Sequence, residues 1–314
     1  MTQPLTGVQR FARGIARELV QQRDDVKILT PTVSPVLDDY ADLPFTPVGR
    51  RHGHAWEQLD LPRYLKTAGS PLLLNLTSTG PMRYRNQIAT HHDITYVRQP
   101  ASFSWRFRLI YRLIVPSLLK RSRKVLTVSE FSKKEVGQHF GLPPEKLVIV
   151  HNAVDARFMP DPAARAAEKA PYFLAVSSPS KHKNFERMVE AFTRYLPESD
   201  TRLVIIGAQN QSFSALNFAQ KTDRIVFTGR VDDDKLVSLY QRAKAFVFPS
   251  IYEGFGIPPL EAQQCGCPVI ASNAASMPEV LRDSVVYFDP YDIASIQDAI
   301  RKIDSDAALR QTLI

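Results

Sequence analysis

Pro249-Ser250-Ile251-Tyr252-Glu253-Gly254-Phe255-Gly256-Ile257-Pro258-Pro259-Leu260-Glu261 sets the reading of the whole chain. Ala245-Phe246-Val247-Phe248 comes just before it, a short apolar run rich in strand formers. Ala262-Gln263-Gln264-Cys265-Gly266 follows as a helix closing on glycine, and Pro268-Val269-Ile270-Ala271-Ser272 opens another strand. The order predicts a strand–loop–helix corner in an α/β sheet, where ligands bind at the carboxyl ends of the strands. Gly254 and Gly256 let the backbone approach a ligand closely. Pro258 and Pro259 suit a first helical turn, so the amides near Phe255, Gly256 and Ile257 face a helix N-terminus, a seat for phosphate. Glu253 and Glu261 flank that seat, and a carboxylate accepts two hydrogen bonds from a vicinal diol. Phosphate and two sugar-binding carboxylates together suggest a nucleotide sugar. On spacing alone, a plain loop with a helix-capping glutamate fits as well.

The Glu-x7-Glu pattern within PSIYEGFGIPPLEA, followed by GCPVIAS and MPEV, resembles the retaining glycosyltransferases of family 4. That resemblance implies the α/β GT-B fold, with two Rossmann-like, doubly wound parallel-sheet domains facing across a cleft. It implies that Glu253 approaches the donor sugar and that Glu261 holds the ribose hydroxyls. The expected division is an acceptor-binding domain over residues 1–155, a linker over 156–170 and a nucleotide-sugar-binding domain over 171–314.

Composition agrees with a globular protein. Apolar residues make up 44% and charged residues 23% of 314, enough chain for two ordinary domains. Cys265 and Cys267 form one Cys-Gly-Cys, the wrong spacing for a zinc ribbon or a CxxC redox pair, and are expected to be buried thiols. The Asn75-Leu76-Thr77 sequon falls in a strand-like run and is expected to be accidental. No run approaches a membrane span, and the first residues lack a signal-peptide pattern.

The net charge of +8 is unevenly spread. Residues 1–160 hold 23 Lys and Arg against 13 Asp and Glu; residues 161–314 hold 17 against 19. The basic half favours an anionic partner. No zinc-finger, helix-turn-helix or RNA-binding signature is present, so a bilayer surface or a lipid diphosphate is expected rather than nucleic acid.

Along the first half, Phe11, Ile15, Leu19 and Val20 share one face of a helix after Thr6-Gly7-Val8. This resembles the family's glycine-containing loop and first helix, which implies that Gly7 approaches the donor phosphates. The family's preceding strand is expected to be absent. Val26 to Leu29 reads as a strand, residues 31–50 as Pro-rich loop, and Leu72 to Leu76 as a buried strand. Gln87 to Thr90 reads as a strand delivering His91-His92-Asp93 at its carboxyl end. The resemblance puts His92, not His91, beside the reaction centre. Adjacent strand residues point to opposite faces, so the two histidines make a poor metal pair. Trp105 to Lys124 reads as a basic amphipathic helix able to lie on an anionic membrane. Ser129-Glu130-Phe131-Ser132 carries a capping pattern.

Strand and helix alternate in the second half, as a parallel sheet with helices on both faces requires. Ser177-Ser178-Pro179-Ser180-Lys181-His182-Lys183-Asn184 resembles the family loop that usually starts with Gly and ends Arg-Lys-Asn. Ser177 replaces the Gly and His182 the Arg. The resemblance implies that Lys183 neutralises charge developing on the leaving diphosphate, with Lys181 supplying a second charge. Gly229-Arg230-Val231 resembles the segment meeting the nucleobase, which makes Arg230 a nucleotide contact. Asp232-Asp233-Asp234 reads as a helix start rather than a metal motif. No cofactor or metal is expected. A likely close of the chain is a helix from Ile293 to Ile303, with the family's crossover helix expected to be missing.

Taken together, the residues imply a retaining hexosyltransferase, with mannose from GDP-mannose leading and UDP-glucose second. The acceptor would be a saccharide or lipid-linked saccharide in bacterial polysaccharide assembly. The expected location is the cytoplasm, peripheral on the inner face of the membrane. A GT-B-like sugar-nucleotide epimerase, a non-catalytic nucleotide-sugar-binding protein and a basic nucleic-acid binder stay open at this point.

Overall fold

A computed structural model describes residues 7–32, 43–161, 163, 170–176, 180–207 and 222–314. Two compact units emerge, one of Met1–Val97 with Phe103–Asn152, the other of Arg98–Ser102 with Ala153–Ile314.

The first unit opens with helix α1 (Gly7–Gln22), which buries Phe11, Ala12, Arg13 and Ala16. Strands β1 (Ile28–Thr30) and β2 (Phe45–Pro47) pair in parallel. β2 lies inside the stretch expected to be loop. Three residues ending in proline carry little strand signal alone, and the pairing with β1 makes the strand. Beyond helix α2 (Leu61–Thr67), β3 (Leu73–Asn75), β4 (Gln87–Thr90), β5 (Lys124–Thr127) and β6 (Leu147–Ile149) form a four-stranded parallel sheet in chain order. Asn75 sits within β3 and donates its amide to the Thr79 carbonyl at 2.6 Å.

Helices α3 (Trp105–Arg121) and α4 (Glu130–Phe140) belong to the same unit. Ser104 and Ser129 cap them, accepting from the amides of Phe107 and Ser132. α3 ends earlier than the expected Lys124. Ser122 turns extended, with φ −63° and ψ 149°, and its hydroxyl donates to the Leu118 carbonyl. Arg123 and Lys124 therefore leave the helix; Arg123 donates its amide to Gln87, and Lys124 enters β5.

The second unit is built on six parallel strands: β7 (Ala170–Val176), β8 (Arg202–Ile206), β9 (Ile225–Gly229), β10 (Ala243–Phe248), β11 (Val269–Ser272) and β12 (Val286–Phe288). Their order is β12-β11-β10-β7-β8-β9. The chain builds outward from β7 through β8 and β9, then returns to the other side of β7 with β10. Strand order thus reverses between β7 and β10, the place where open α/β sheets bind ligands.

Both sheet faces are buried, with a period of two. Phe173, Ala175, Ala245, Val247 and Ile270 face one core, shared with helices α5 (Phe185–Tyr195) and, near the chain end, Ile293–Ser305. Leu174, Phe246, Phe248, Val269 and Ala271 face the other, shared with α6 (Asp233–Arg242), α7 (Ile257–Gln264) and α8 (Met277–Leu281). Asp232 caps α6 by accepting from the Lys235 amide, so the three aspartates do start a helix. The helix α9 (Ile293–Ser305) runs two residues past the expected Ile303, and α10 (Ala307–Thr312) follows it; Asp306 ends the first and caps the second. Cys265 and Cys267 are buried free thiols in the second core. No helix among the described residues is long and apolar enough to cross a membrane.

Candidate active site

The carboxyl ends of β7 and β10 deliver the two loops that carry the chemistry of the second unit. Parallel pairing sets Leu174 beside Phe246, so the loops leave the sheet side by side. Residues 177–179, including the Ser177 that replaces the family glycine, lie outside the described residues. Lys181–Lys183 forms a single 3-10 turn, and Asn184 closes it in the left-handed region at φ 57°. The Asn184 amide donates to the Pro290 carbonyl at 2.7 Å, which anchors this strained residue to the loop after β12.

Lys183 and Glu253 meet as an ion pair, with Nζ 2.6 Å from Oε1. Their side chains are 21% and 16% exposed, so solvent screens the pair only in part. The Lys183 ammonium also lies 5.8 Å from the centre of the Phe248 ring. The loops are stitched by backbone as well: the Ile251 amide donates to the His182 carbonyl at 2.9 Å. His182 is buried, and its Nδ1 stands 3.0 Å from the Ser102 hydroxyl, in the short segment Arg98–Ser102 that belongs to this unit. Lys181 is exposed beside it.

Glu253 is held from below by residues the sequence did not single out. The Ser276 hydroxyl donates to the Glu253 carbonyl at 3.0 Å, and the Ser272 hydroxyl donates to the Ser250 carbonyl at 2.5 Å. Both serines are wholly buried. Their only signal in the sequence is polarity at the end of an otherwise apolar strand and at the turn before MPEV.

Gly256 stands immediately before α7 at φ 89°, and a Cβ there would come 2.4 Å from Met277 Cε. Both the dihedral and the close approach require glycine. Pro258 and Pro259 occupy the first turn of α7 and carry no amide hydrogen. Gly256 and Ile257 are left as the amide carriers at this helix end, where the dipole favours an anion. Gly254 and Phe255 are buried in the loop.

Glu261 is also buried, at 6% exposed, in the body of α7. Its carboxylate faces Tyr240; burial first, and then the Glu261 charge, push that phenol well above its ordinary pKa. Arg230 stands exposed after β9, at the same end of the sheet but three strands from β10.

In the first unit, the carboxyl end of β4 presents His91 and His92 in different surroundings. His91 is fully buried, edge-on to Tyr96 and Phe140, with Nε2 3.3 Å from the Tyr96 hydroxyl. Burial lowers its pKa to about 3. His92 packs edge-on against Phe11 of α1, with ring centres 5.0 Å apart. Its carbonyl accepts from the Thr127 hydroxyl at 3.3 Å. Burial lowers its pKa too, while the Asp93 charge opposes that. Its Nε2 is buried without a hydrogen-bond partner among the described residues. A buried polar nitrogen left so costs free energy until a ligand group meets it. Asp93 is engaged nearby, accepting from the amide and hydroxyl of Thr95 at 2.8 and 2.6 Å. Gly7 is exposed as the first residue of α1.

No group of three or more His, Cys, Asp or Glu among the described residues is arranged to hold a metal ion.

Comparison with known proteins matches this layout. The family model for glycosyl transferases group 1 covers residues 161–314, and that for glycosyltransferase family 4 covers residues 5–158. The chain is 31% identical to the O-antigen chain mannosyltransferase RfbU of Salmonella typhimurium, over 76% of this chain and 67% of that one. It is 30% identical to the O-antigen chain mannosyltransferase B of Escherichia coli, over 74% of this chain and 64% of that one. The chain thus spans about two thirds of the length of these relatives. Among solved structures, Anabaena HepE in complex with UDP and glucose superposes with a TM-score of 0.76 at 17% identity, covering 100% of this chain and 90% of that one. The chain belongs to glycosyltransferase family 4, the group 1 glycosyl transferases, and has their GT-B fold.

Proposed function

We propose that the protein transfers mannose from GDP-mannose to a hydroxyl of a lipid-linked saccharide in bacterial polysaccharide assembly, with retention at the anomeric carbon. The observation that carries this reading is the Lys183–Glu253 pair, seated where strand order reverses and beside the open N-terminus of α7. The mannosyltransferase names of the two relatives support the choice of sugar.

In this reading the bond between the sugar C1 and the β-phosphate oxygen breaks while the acceptor oxygen bonds to C1 on the same face. The acceptor proton passes to the departing phosphate. Lys183, with Lys181, offsets the charge that grows on the diphosphate, and the amides of Gly256 and Ile257 add theirs. Gly7, Gly254 and Phe255 allow the phosphates and sugar to approach the backbone. Glu253 orients the sugar hydroxyls, Glu261 holds the ribose diol, and Arg230 meets the base or a phosphate. His92 supplies a neutral imidazole to the transferred sugar. No metal is required when ammonium and amides carry the phosphate charge. The enzyme works in the cytoplasm, peripheral on the inner face of the membrane, and nucleic acid is not a partner.

The test is a thermal-shift screen against GDP and UDP sugars, followed by turnover. A ligand present at about 100 times its Kd stabilises the native state by about 2.7 kcal/mol. GDP-mannose is expected to raise Tm most, with GDP released only when a saccharide acceptor is added. Preference for UDP-glucose overturns the donor assignment. Turnover without acceptor indicates an epimerase, and binding without any turnover overturns the enzyme reading.

A further inference from the structure

Helix α3 exposes an apolar ridge that its own core packing does not explain. Ile114, Val115, Leu118 and Leu119 are buried and account for the face turned toward the protein. Trp105, Leu109 and Leu113 lie at i, i+4 and i+8 and are 63%, 47% and 66% exposed. At 1.5 Å per residue the ridge is about 12 Å long. Arg112 falls on the same stripe, Arg108 borders it on one side, and Arg106 and Lys120 border it on the other; all four are exposed. No acidic residue occurs anywhere in the helix.

We infer that α3 is a docking helix that lies flat on an anionic lipid bilayer, with Trp105, Leu109 and Leu113 inserted at the headgroup boundary and Arg106, Arg108, Arg112 and Lys120 on the phosphates. A water-filled protein surface offers one of these chemistries at a time, whereas a bilayer offers an apolar layer directly beneath a sheet of negative charge. The helix matches both in that geometry: an apolar stripe at the centre and cations at its borders. A tryptophan at one end of the stripe is the side chain best suited to that boundary. Lys124 is not part of the surface, because its ammonium donates to the Glu145 carbonyl at 2.6 Å. Insertion of the apolar ridge adds a term that salt does not screen, which charge attraction alone lacks.

This deepens the reading above, since it rests on an acceptor presented at a membrane. The vesicles that test it contain neither donor nor acceptor, so failure of docking and failure of transfer are separate results. The whole chain is mixed with phosphatidylcholine vesicles, with and without phosphatidylglycerol, and floated on a density gradient. Binding is expected only with phosphatidylglycerol, to weaken as salt rises, and to shift tryptophan emission to the blue. The chain has only two tryptophans. Trp56 is held by its indole bond to the Val48 carbonyl at 2.6 Å, so the shift reports Trp105. The triple variant W105S/L109S/L113S alters exposed side chains only; it is expected to keep its Tm and lose vesicle affinity by at least about tenfold at low salt. The triple variant R106A/R108A/R112A is expected to lose affinity and show a flatter salt dependence.

No flotation with anionic vesicles overturns the inference. Unchanged affinity of the serine variant, or binding without an emission shift, overturns the inserted ridge. A concentration-dependent dimer abolished by the serine substitutions would make the ridge a contact between two copies. Tighter, salt-sensitive binding to duplex DNA than to vesicles would make the face a nucleic-acid surface; either result overturns bilayer docking.

Discussion

The two units prepare their candidate residues in opposite electrostatic ways. In the second, Lys183 and Glu253 are full charges that meet at 2.6 Å and stay partly open to solvent. In the first, His91 and His92 are buried imidazoles that the fold holds neutral. A charged pair suits a place where a diphosphate must be received and its growing charge offset. A neutral, desolvated nitrogen suits a place that meets sugar hydroxyls, where a fixed charge would gain little and cost solvation. The contrast assigns phosphate handling to one sheet and hydroxyl handling to the other.

The largest expected effect lies on the charged side. Lys183→Ala should lower kcat by about a hundredfold, the scale of losing one preorganised charge-stabilising donor, and Glu253→Ala by at least about tenfold. Steady-state transfer kinetics measure both. A normal kcat in Lys183→Ala would remove the diphosphate role and with it the contrast.

The neutral side predicts a pH dependence of stability. His91 has a folded pKa of about 3 against an ordinary 6.5, so the unfolded chain binds the proton first as pH falls. Stability from this group is full above about pH 6.5 and is lost as pH drops toward 3; at pH 5 the loss is about 2 kcal/mol. Denaturant unfolding at pH 7.5 and pH 5 should show it, and His91→Gln should reduce the difference. An identical pH response in wild type and variant would mean His91 is not held neutral by burial.

The smallest effect separates the two histidines. His92→Ala should slow transfer by at least about tenfold, roughly 1.4 kcal/mol, with little change in calorimetric affinity for GDP. His91→Ala should leave the rate of folded enzyme nearly unchanged but lower Tm, because it opens a cavity between Tyr96 and Phe140. The reverse pattern of rates would put the reactive register one residue away.

Local signals carried much of this. The helix Phe185–Tyr195 and the strands Gln87–Thr90 and Arg202–Ile206 were legible to the residue, because apolar spacing and flanking turn residues agree there. The capping roles of Ser129 and Asp232 followed from residue type alone. β2 escaped notice because three residues ending in proline have no period to read. The overextended end of α3 has a similar cause: basic residues continue through Arg123 and Lys124, and composition does not register that Ser122 has turned extended. Ser272 and Ser276 were invisible as supports, since a hydroxyl bonding to a distant carbonyl leaves no mark on its neighbours in sequence.

By itself the sequence determined the alternation of strands and helices, the glycine and prolines at the start of α7, and the family those motifs denote. These depend on backbone preferences and on spacing within one segment, which a linear chain records directly. Only the tertiary structure decided that Lys183 and Glu253, 70 residues apart, share one ion pair. It did so because the strand after β9 returns to pair with β7, and that reversal of order sets the carboxyl ends of β7 and β10 side by side. Burial likewise separated His91 from His92, two identical side chains in adjacent positions, because only packing sets how much water each imidazole keeps.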